Sequence, residues 1–270
     1  MNRFSKFAAS ALALSLVPAM LMGCGKKETA ASSDLDYIKQ KGTLVVGITD
    51  FAPMDYQDAD GSWIGFDADL AKAFAESLGV EVQFQTIEWD NKVMELDGKT
   101  IDVVWNGMTL TDEVTSSMAC SNAYCNNAQV VILPADKAAD YDTVDSLSGL
   151  RFTVESGSAG MAQAEEKGLT YTDVVDQATA LLEVKSGTAD AAIIDSLMAG
   201  AMVGEGTNYA DLAIGPVLNA ETGEQYGVGF RKGSDAAAAL NEFFQQQWES
   251  GALQALAEQY GVQAALIEQK

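Results

Sequence analysis

From residue 43 onward the chain alternates short β-branched runs with amphipathic helical patterns. Thr43 to Ile48 reads as a buried strand, and a polar, hairpin-like stretch leads from it to Asp67. Asp67 is placed to N-cap a helix that sets Leu70, Phe74 and Leu78 on one face, and Gly79 is its stop. Glu81 to Ile87 alternates as a strand, Asp90 to Leu96 has the spacing of a short helix, and Ile101 to Trp105 is a second buried strand. The rhythm recurs further on. Arg151 to Val154, Tyr171 to Val175 and Ala191 to Ile194 read as strands, followed by helices at Gly160 to Lys167, Ala178 to Ser186 and Ser196 to Val203. Two long helical patterns, Asp235 to Glu249 and Leu253 to Tyr260, close the chain. Such alternation predicts two parallel α/β sheets.

The N-terminus follows a different pattern. Arg3 and Lys6 precede a run from Phe7 to Met22 that is apolar apart from Ser10, Ser15 and Pro18, and Gly23-Cys24 closes it. A positive start, an apolar middle and a small-residue end predict a secretory signal peptide over residues 1–23. The run is shorter than the roughly 20 residues a membrane-spanning helix needs, and it contains a proline. Leu21-Met22-Gly23-Cys24 resembles the bacterial lipobox, which implies cleavage before Cys24 and lipidation of its thiol. Residues 24–34 are small, polar and without periodicity, the composition of a lipidated tether. Folded structure is expected from near Leu35.

Composition narrows the chemistry. With 270 residues the chain is long enough for one large domain or two ordinary ones, and 48% apolar with 20% charged residues describes a globular protein. Sixteen Lys and Arg against 39 Asp and Glu give a net charge of −23, which repels phosphate backbones and argues against nucleic acid as a partner. The histidine count is 0, which removes Ser-His-Asp and Cys-His hydrolases and every imidazole-ligated zinc site. Asp58-Ala59-Asp60-Gly61 hints at a calcium loop, yet aligning Gly61 to the loop glycine puts Tyr56 at the first ligand position. No phosphate-cradling or dinucleotide glycine pattern occurs, so no cofactor and no metal are expected. Cys120 and Cys125 remain once Cys24 is used; in an oxidising compartment they are expected to bridge if their Cα atoms lie within about 7 Å.

Specific motifs then appear in sequence. Asp50-Phe51-Ala52-Pro53-Met54-Asp55-Tyr56 is followed by Gly65-Phe66-Asp67-Ala68-Asp69-Leu70-Ala71, Glu88-Trp89-Asp90, and the run from Asp102 through Trp105-Asn106-Gly107-Met108-Thr109 to Thr111. Glu155-Ser156-Gly157-Ser158, Asp190 to Ser196 and Tyr226 to Gly233 complete the set. In these fragments and their order the chain resembles the extracytoplasmic solute-binding proteins of polar amino acid ABC transporters, over roughly Leu35 to Tyr260. The resemblance implies an α/β, two-lobed type II periplasmic-binding-protein fold with two hinge crossings. Lobe one would comprise residues 35–131 and 226–270, and lobe two with the crossings residues 132–225. Open α/β sheets bind ligands outside the carboxyl ends of their strands, which suits a cleft between such lobes.

The resemblance implies ligand-binding roles for ten residues. Asp50 and Phe51 follow a strand end, as an acidic residue and an aromatic wall. Met54 and Trp89 are further walls for apolar parts of a ligand. Asn106, Gly107 and Thr109 end a strand ahead of a helix starting near Thr111, so backbone N–H groups and a hydroxyl can face the cleft. Gly157 and Ser158 lie between a strand and a helix, where Ser158 can also act as a cap. Asp195 ends a strand at the position where the family accepts the ligand α-ammonium; without the resemblance it would be read as a cap for the helix beginning at Ser196. Trp105 points to the opposite face and is expected in the core.

One position departs from the family. The run Leu110-Thr111-Asp112-Glu113-Val114 places valine where the family uses an arginine to clamp the ligand α-carboxylate, and valine can make no bidentate pair. Either backbone N–H groups hold the carboxylate, a cation arrives from elsewhere, with Lys92 as a distant candidate, or the ligand has none. The expected function is a monomeric, lipid-anchored extracytoplasmic receptor that captures a small polar solute, an amino acid or amine, and delivers it to a membrane permease. The alternatives are a dehydratase on the same fold, needing an acid/base pair from Asp50 and Asp195, and a sensory receptor.

Overall fold

Ser33 opens the described chain as a helix cap: its Oγ accepts the Asp36 amide at 3.0 Å. The computed structural model describes residues 33–270; the expected signal peptide, Cys24 and nearly all of the tether lie outside the described residues. In chain order the elements are α1 (Asp34–Lys41), β1 (Thr43–Ile48), β2 (Tyr56–Gln57), β3 (Trp63–Ile64), α2 (Phe66–Leu78), β4 (Glu81–Thr86), α3 (Lys92–Asp97), β5 (Val103–Thr109) and α4 (Asp112–Ser117). Then come β6 (Ala119–Cys120), β7 (Cys125–Asn127), β8 (Gln129–Pro134), β9 (Arg151–Glu155), α5 (Ala159–Glu166), β10 (Thr170–Val174), α6 (Gln177–Ser186), β11 (Ala191–Asp195) and α7 (Ser196–Met202). The chain closes with β12 (Leu212–Val217), β13 (Glu224–Phe230), α8 (Ala236–Ser250) and α9 (Ala252–Gln259).

Two sheets carry the fold, in the orders β4-β1-β5-β13-β6 and β10-β9-β11-β8-β12. Each has a parallel half, with β1 between β4 and β5 and β9 between β10 and β11. The other half of each is antiparallel, where the sequence pattern predicted parallel sheets throughout. The reason lies in the passages between sheets. β7 ends in the first sheet at Asn127, β8 begins in the second at Gln129, and the chain returns between Val217 and Glu224. Strands entering by an extended passage, without a crossover helix, need not run parallel to their neighbours. The first passage therefore falls at Ala128, ahead of the expected lobe boundary between residues 131 and 132: Val130, Val131 and Ile132 already pair with β11.

α2 is capped by its surroundings and not by Asp67. The N-cap position is Gly65 at φ +130, where a Cβ would meet the Met54 carbonyl oxygen at 2.1 Å. Asp67 sits inside the first turn with its carboxylate turned toward the sheet. Gly79 ends the helix in the left-handed region as the sequence implies. The C-terminal α8 packs on the first sheet: Phe243 meets Phe74 at 5.4 Å between centroids, and Phe244 meets Trp105 and Tyr124 at 5.7 Å each. Trp105 is fully buried there, as expected.

Cys120 and Cys125 are free thiols, which corrects the expected bridge. Cys120 pairs opposite Gly229 and Cys125 opposite Tyr226 on the same strand. Three strand positions separate them by about 10 Å, beyond disulfide reach. They also pack into different apolar clusters, Cys125 with Tyr124 and Tyr226, Cys120 with Met108 and Val114. Among the described residues no helix is long and apolar enough to cross a membrane.

Candidate functional site

A cleft of about 280 Å³ lies between the two sheets, at the ends of β5, β9 and β11. Eight of the ten expected residues line it: Phe51, Trp89, Asn106, Gly107, Thr109, Gly157, Ser158 and Asp195 are on its wall, and Asp50 and Met54 are not.

The wall from the first sheet is largely apolar. Phe51, Trp89, Met108 and Val114 face the cleft, and Phe51 is steadied by an edge-on contact with Tyr226 at 6.3 Å. Asn106 lines the cleft, yet its amide is fully engaged: Oδ1 accepts from Thr49 N at 2.9 Å and Thr49 Oγ1 at 2.7 Å, and Nδ2 donates to Asp55 Oδ2 at 2.8 Å. The Gly107 amide likewise turns away, donating to Asp67 Oδ2 at 2.6 Å, so it does not face the cleft as expected. Tyr124 OH donates to the same oxygen at 2.6 Å. Gly107 has φ +54, and a Cβ there would meet the Phe51 ring at 2.3 Å. Asp55 and Asp67 thus form a buried scaffold behind this wall. Burial raises both carboxyls, Asp67 to about 7, and the Asp67 charge raises Asp55 further.

Met54 belongs to this scaffold and not to the cleft. Its carbonyl accepts the Asp67 and Ala68 amides at 3.0 and 3.2 Å, which draws the residue under the start of α2 and leaves its side chain fully buried. Asp50 is exposed, and its carboxyl is raised by partial burial and the nearby Asp176.

The wall from the second sheet is polar and acidic. Asp195 stands at the N-cap position of α7, yet its carboxylate makes no capping bond. Its Oδ1 accepts from Gln129 Nε2 and Tyr226 OH, both at 3.0 Å, and from Asn127 Nδ2; its Oδ2 accepts from Gln177 Nε2. Burial, with the Glu224 carboxylate nearby, raises it to about 7. Glu155, quoted in a motif but not expected as a site residue, also lines the cleft and is 3% exposed. Burial and the charges of Asp195 and Asp176 raise it to about 8. Ser158 caps α5, its Oγ accepting the Met161 amide at 3.1 Å. Thr109 Oγ1 reaches Glu224 Oε2 at 3.4 Å.

Lys92 brings a cation to the cleft. Among the described residues it is the one cation lining the cleft, buried with its Nζ 5.0 Å from the Trp89 ring centroid. The Nζ donates to the carbonyls of Trp89 at 3.2 Å and Gly157 at 3.1 Å, so it ties the two walls together. Burial lowers its pKa against the opposing pull of Glu113, Glu155 and Asp90. Helix spacing alone could have found it: Lys92 follows Trp89 by three positions, one turn on. Glu155 and Gln177 carried no comparable signal, since their roles depend on the meeting of β9, α6 and β11.

Two mixed sheets joined by two extended passages, with a mixed-charge cleft between them, define a two-lobed solute-binding protein. The sequence profile of the bacterial extracellular solute-binding proteins, family 3, matches residues 44–263, and the chain belongs to that family. It is similar to the L-cystine-binding protein TcyJ of Escherichia coli (strain K12), 29% identical over 246 residues that cover 90% of this chain and 91% of that protein. A crystal structure of a mutant of ArgBP from T. maritima matches with a TM-score of 0.78 at 34% identity, covering 84% of this chain and 99% of that one. Cyclohexadienyl dehydratase of Pseudomonas aeruginosa is 26% identical over 175 residues, 63% of this chain and 65% of that protein. The fold thus serves an enzyme among its relatives. The acid/base pair of Asp50 and Asp195 that such a reading required is not assembled here, because Asp50 lies off the cleft.

Proposed function

We propose that the protein captures an amino acid between its lobes and hands it to the permease of an ABC transporter, working from a lipid anchor at Cys24. The observation that carries this reading is the polarity of the cleft: carboxyls of Glu155 and Asp195 on one side, the Lys92 ammonium on the other. A zwitterion matches that arrangement. Its ammonium goes to Asp195, and its carboxylate to Lys92 and the amide end of α5 next to Gly157, while Trp89 and Phe51 flank its side chain. Acidic amino acids bring a second carboxylate to an already acidic wall and are disfavoured. Family membership and the cystine-binding relative support an amino acid as the solute. The apolar run ending in Leu21-Met22-Gly23-Cys24 supports the anchor and an extracytoplasmic location. The reading as a receptor is supported by the binding proteins among the relatives that match over most of the chain.

Calorimetry of the purified protein against L-arginine, L-lysine, L-cystine, L-glutamate and N-acetyl-L-arginine tests this reading. A basic or neutral amino acid should bind, with L-glutamate and the blocked amine far weaker. Preference for L-glutamate, or equal binding of N-acetyl-L-arginine, contradicts it. Replacing Cys24 by Ala should move the protein from the membrane to the soluble fraction, and retention on the membrane rules out this anchor.

A further inference from the structure

The two carboxyls of the acidic wall are unequally served. Asp195 accepts hydrogen bonds from Gln129, Asn127, Tyr226 and Gln177. Glu155 receives a single long one, from Gln177 Nε2 to Oε2 at 3.5 Å, and its buried Oε1 has no partner among the described residues. Gln177 Nε2 touches both carboxyls, so the two sit side by side on the cleft wall. Four donors favour the ionised form of Asp195, whereas only the long Gln177 bond and the Lys92 charge favour a second charge on Glu155, against the charges of Asp195 and Asp176.

We propose that Glu155 is a second ligand-contacting residue: in the ligand-free protein it holds a proton beside ionised Asp195, and the ammonium of an amino acid takes that proton's place. On binding, the Glu155 O–H proton leaves to solvent and Oε1 accepts an N–H of the ligand. The seat then carries two carboxylates around one ammonium, and capture is tied to proton release. The charged groups facing Glu155 are Asp195 from β11, Asp176 from the turn before α6 and Lys92 from α3. Those facing Asp195 include Glu224 from β13, beside the Tyr226 hydroxyl. Acids on two sides against one amine agree with a group that stays protonated to about pH 8. The inference rests on the proposed amino acid ligand for its second half only; the shared proton stands without it.

Two measurements separate these halves. In the ligand-free protein, carboxyl carbon NMR with labelled Glu should show Glu155 titrating well above the ordinary range, and the Asp195→Asn variant should bring that step down by a unit or more. An ordinary titration of Glu155 near pH 4 overturns the proposal whether or not a ligand is known. Calorimetry with L-arginine near pH 7, in buffers of different ionisation enthalpy, should report release of about one proton per site in the wild type and about none in Glu155→Gln. Binding of L-arginine without proton release, or unchanged release in Glu155→Gln, overturns it as well. Failure of L-arginine to bind counts against the ligand reading, and the NMR titration alone then decides whether Glu155 holds its proton.

Discussion

Both walls of the cleft carry a pair of buried carboxyls, but they put them on opposite sides of the wall. Asp55 and Asp67 lie behind the first wall and hold Asn106 and the Gly107 amide in place. Glu155 and Asp195 lie in front of the second wall and face the cleft themselves. Burial pushes all four upward, Asp195 included although its donors make it the more readily ionised of its pair, so a raised pKa does not by itself tell scaffold from site. What tells them apart is the direction in which the oxygens look. The first pair holds a backbone amide and an asparagine amide from behind the wall, whereas the second pair lines the cleft.

Substitutions on each side should therefore fail differently. The largest effect expected is on affinity: Asp195→Asn should weaken binding of the best amino acid by about 3–5 kcal/mol, since a buried ammonium would lose its main partner. Calorimetry checks it, and a near-normal affinity breaks the contrast between the walls. Next, Asp67→Ala should cost about 2–4 kcal/mol of folding stability in denaturant titration, because the Gly107 amide and the Tyr124 hydroxyl would both lose their acceptor.

A pH effect of intermediate size sharpens the comparison. Each of these carboxyls binds its proton more tightly folded than unfolded, so the native state holds more protons above the ordinary carboxylate range. Their stabilising contribution is complete below about pH 4 and is lost as pH rises through about 7 for Asp67 and Asp195 and about 8 for Glu155. Ligand-free protein should lose stability steadily between pH 6 and pH 8 from these groups, seen as a falling thermal midpoint. Glu155→Gln should flatten that fall; a midpoint indifferent to pH in the wild type contradicts the assignment. The smallest effect expected is Lys92→Met, about 1–2 kcal/mol weaker for an amino acid but near-neutral for its decarboxylated amine, because only the former presents a carboxylate to the Nζ.

Much of this was legible in the chain. The strand at Thr43 to Ile48, the stop at Gly79 and the burial of Trp105 follow from period, left-handed glycine and strand alternation. What eluded the pattern depends on distant pairing. Met54 reads as a cleft wall by its chemistry, yet its carbonyl caps α2 and removes it from the cleft. Asp67 reads as a helix cap, yet Gly107, 40 positions along the chain, claims its carboxylate. Cys120 and Cys125 are neighbours in sequence and three register steps apart on β13. Glu155 sits in a motif read for its glycine and serine, and its partner Asp195 is brought beside it only by the second sheet.

A crystal structure of the protein with L-arginine in the cleft tests the central claim most directly. The α-ammonium is expected within about 3.2 Å of both Asp195 and Glu155, with the α-carboxylate toward Lys92 and the start of α5. A ligand bound in the reverse sense, its carboxylate against Asp195 and its ammonium toward Lys92, would contradict it.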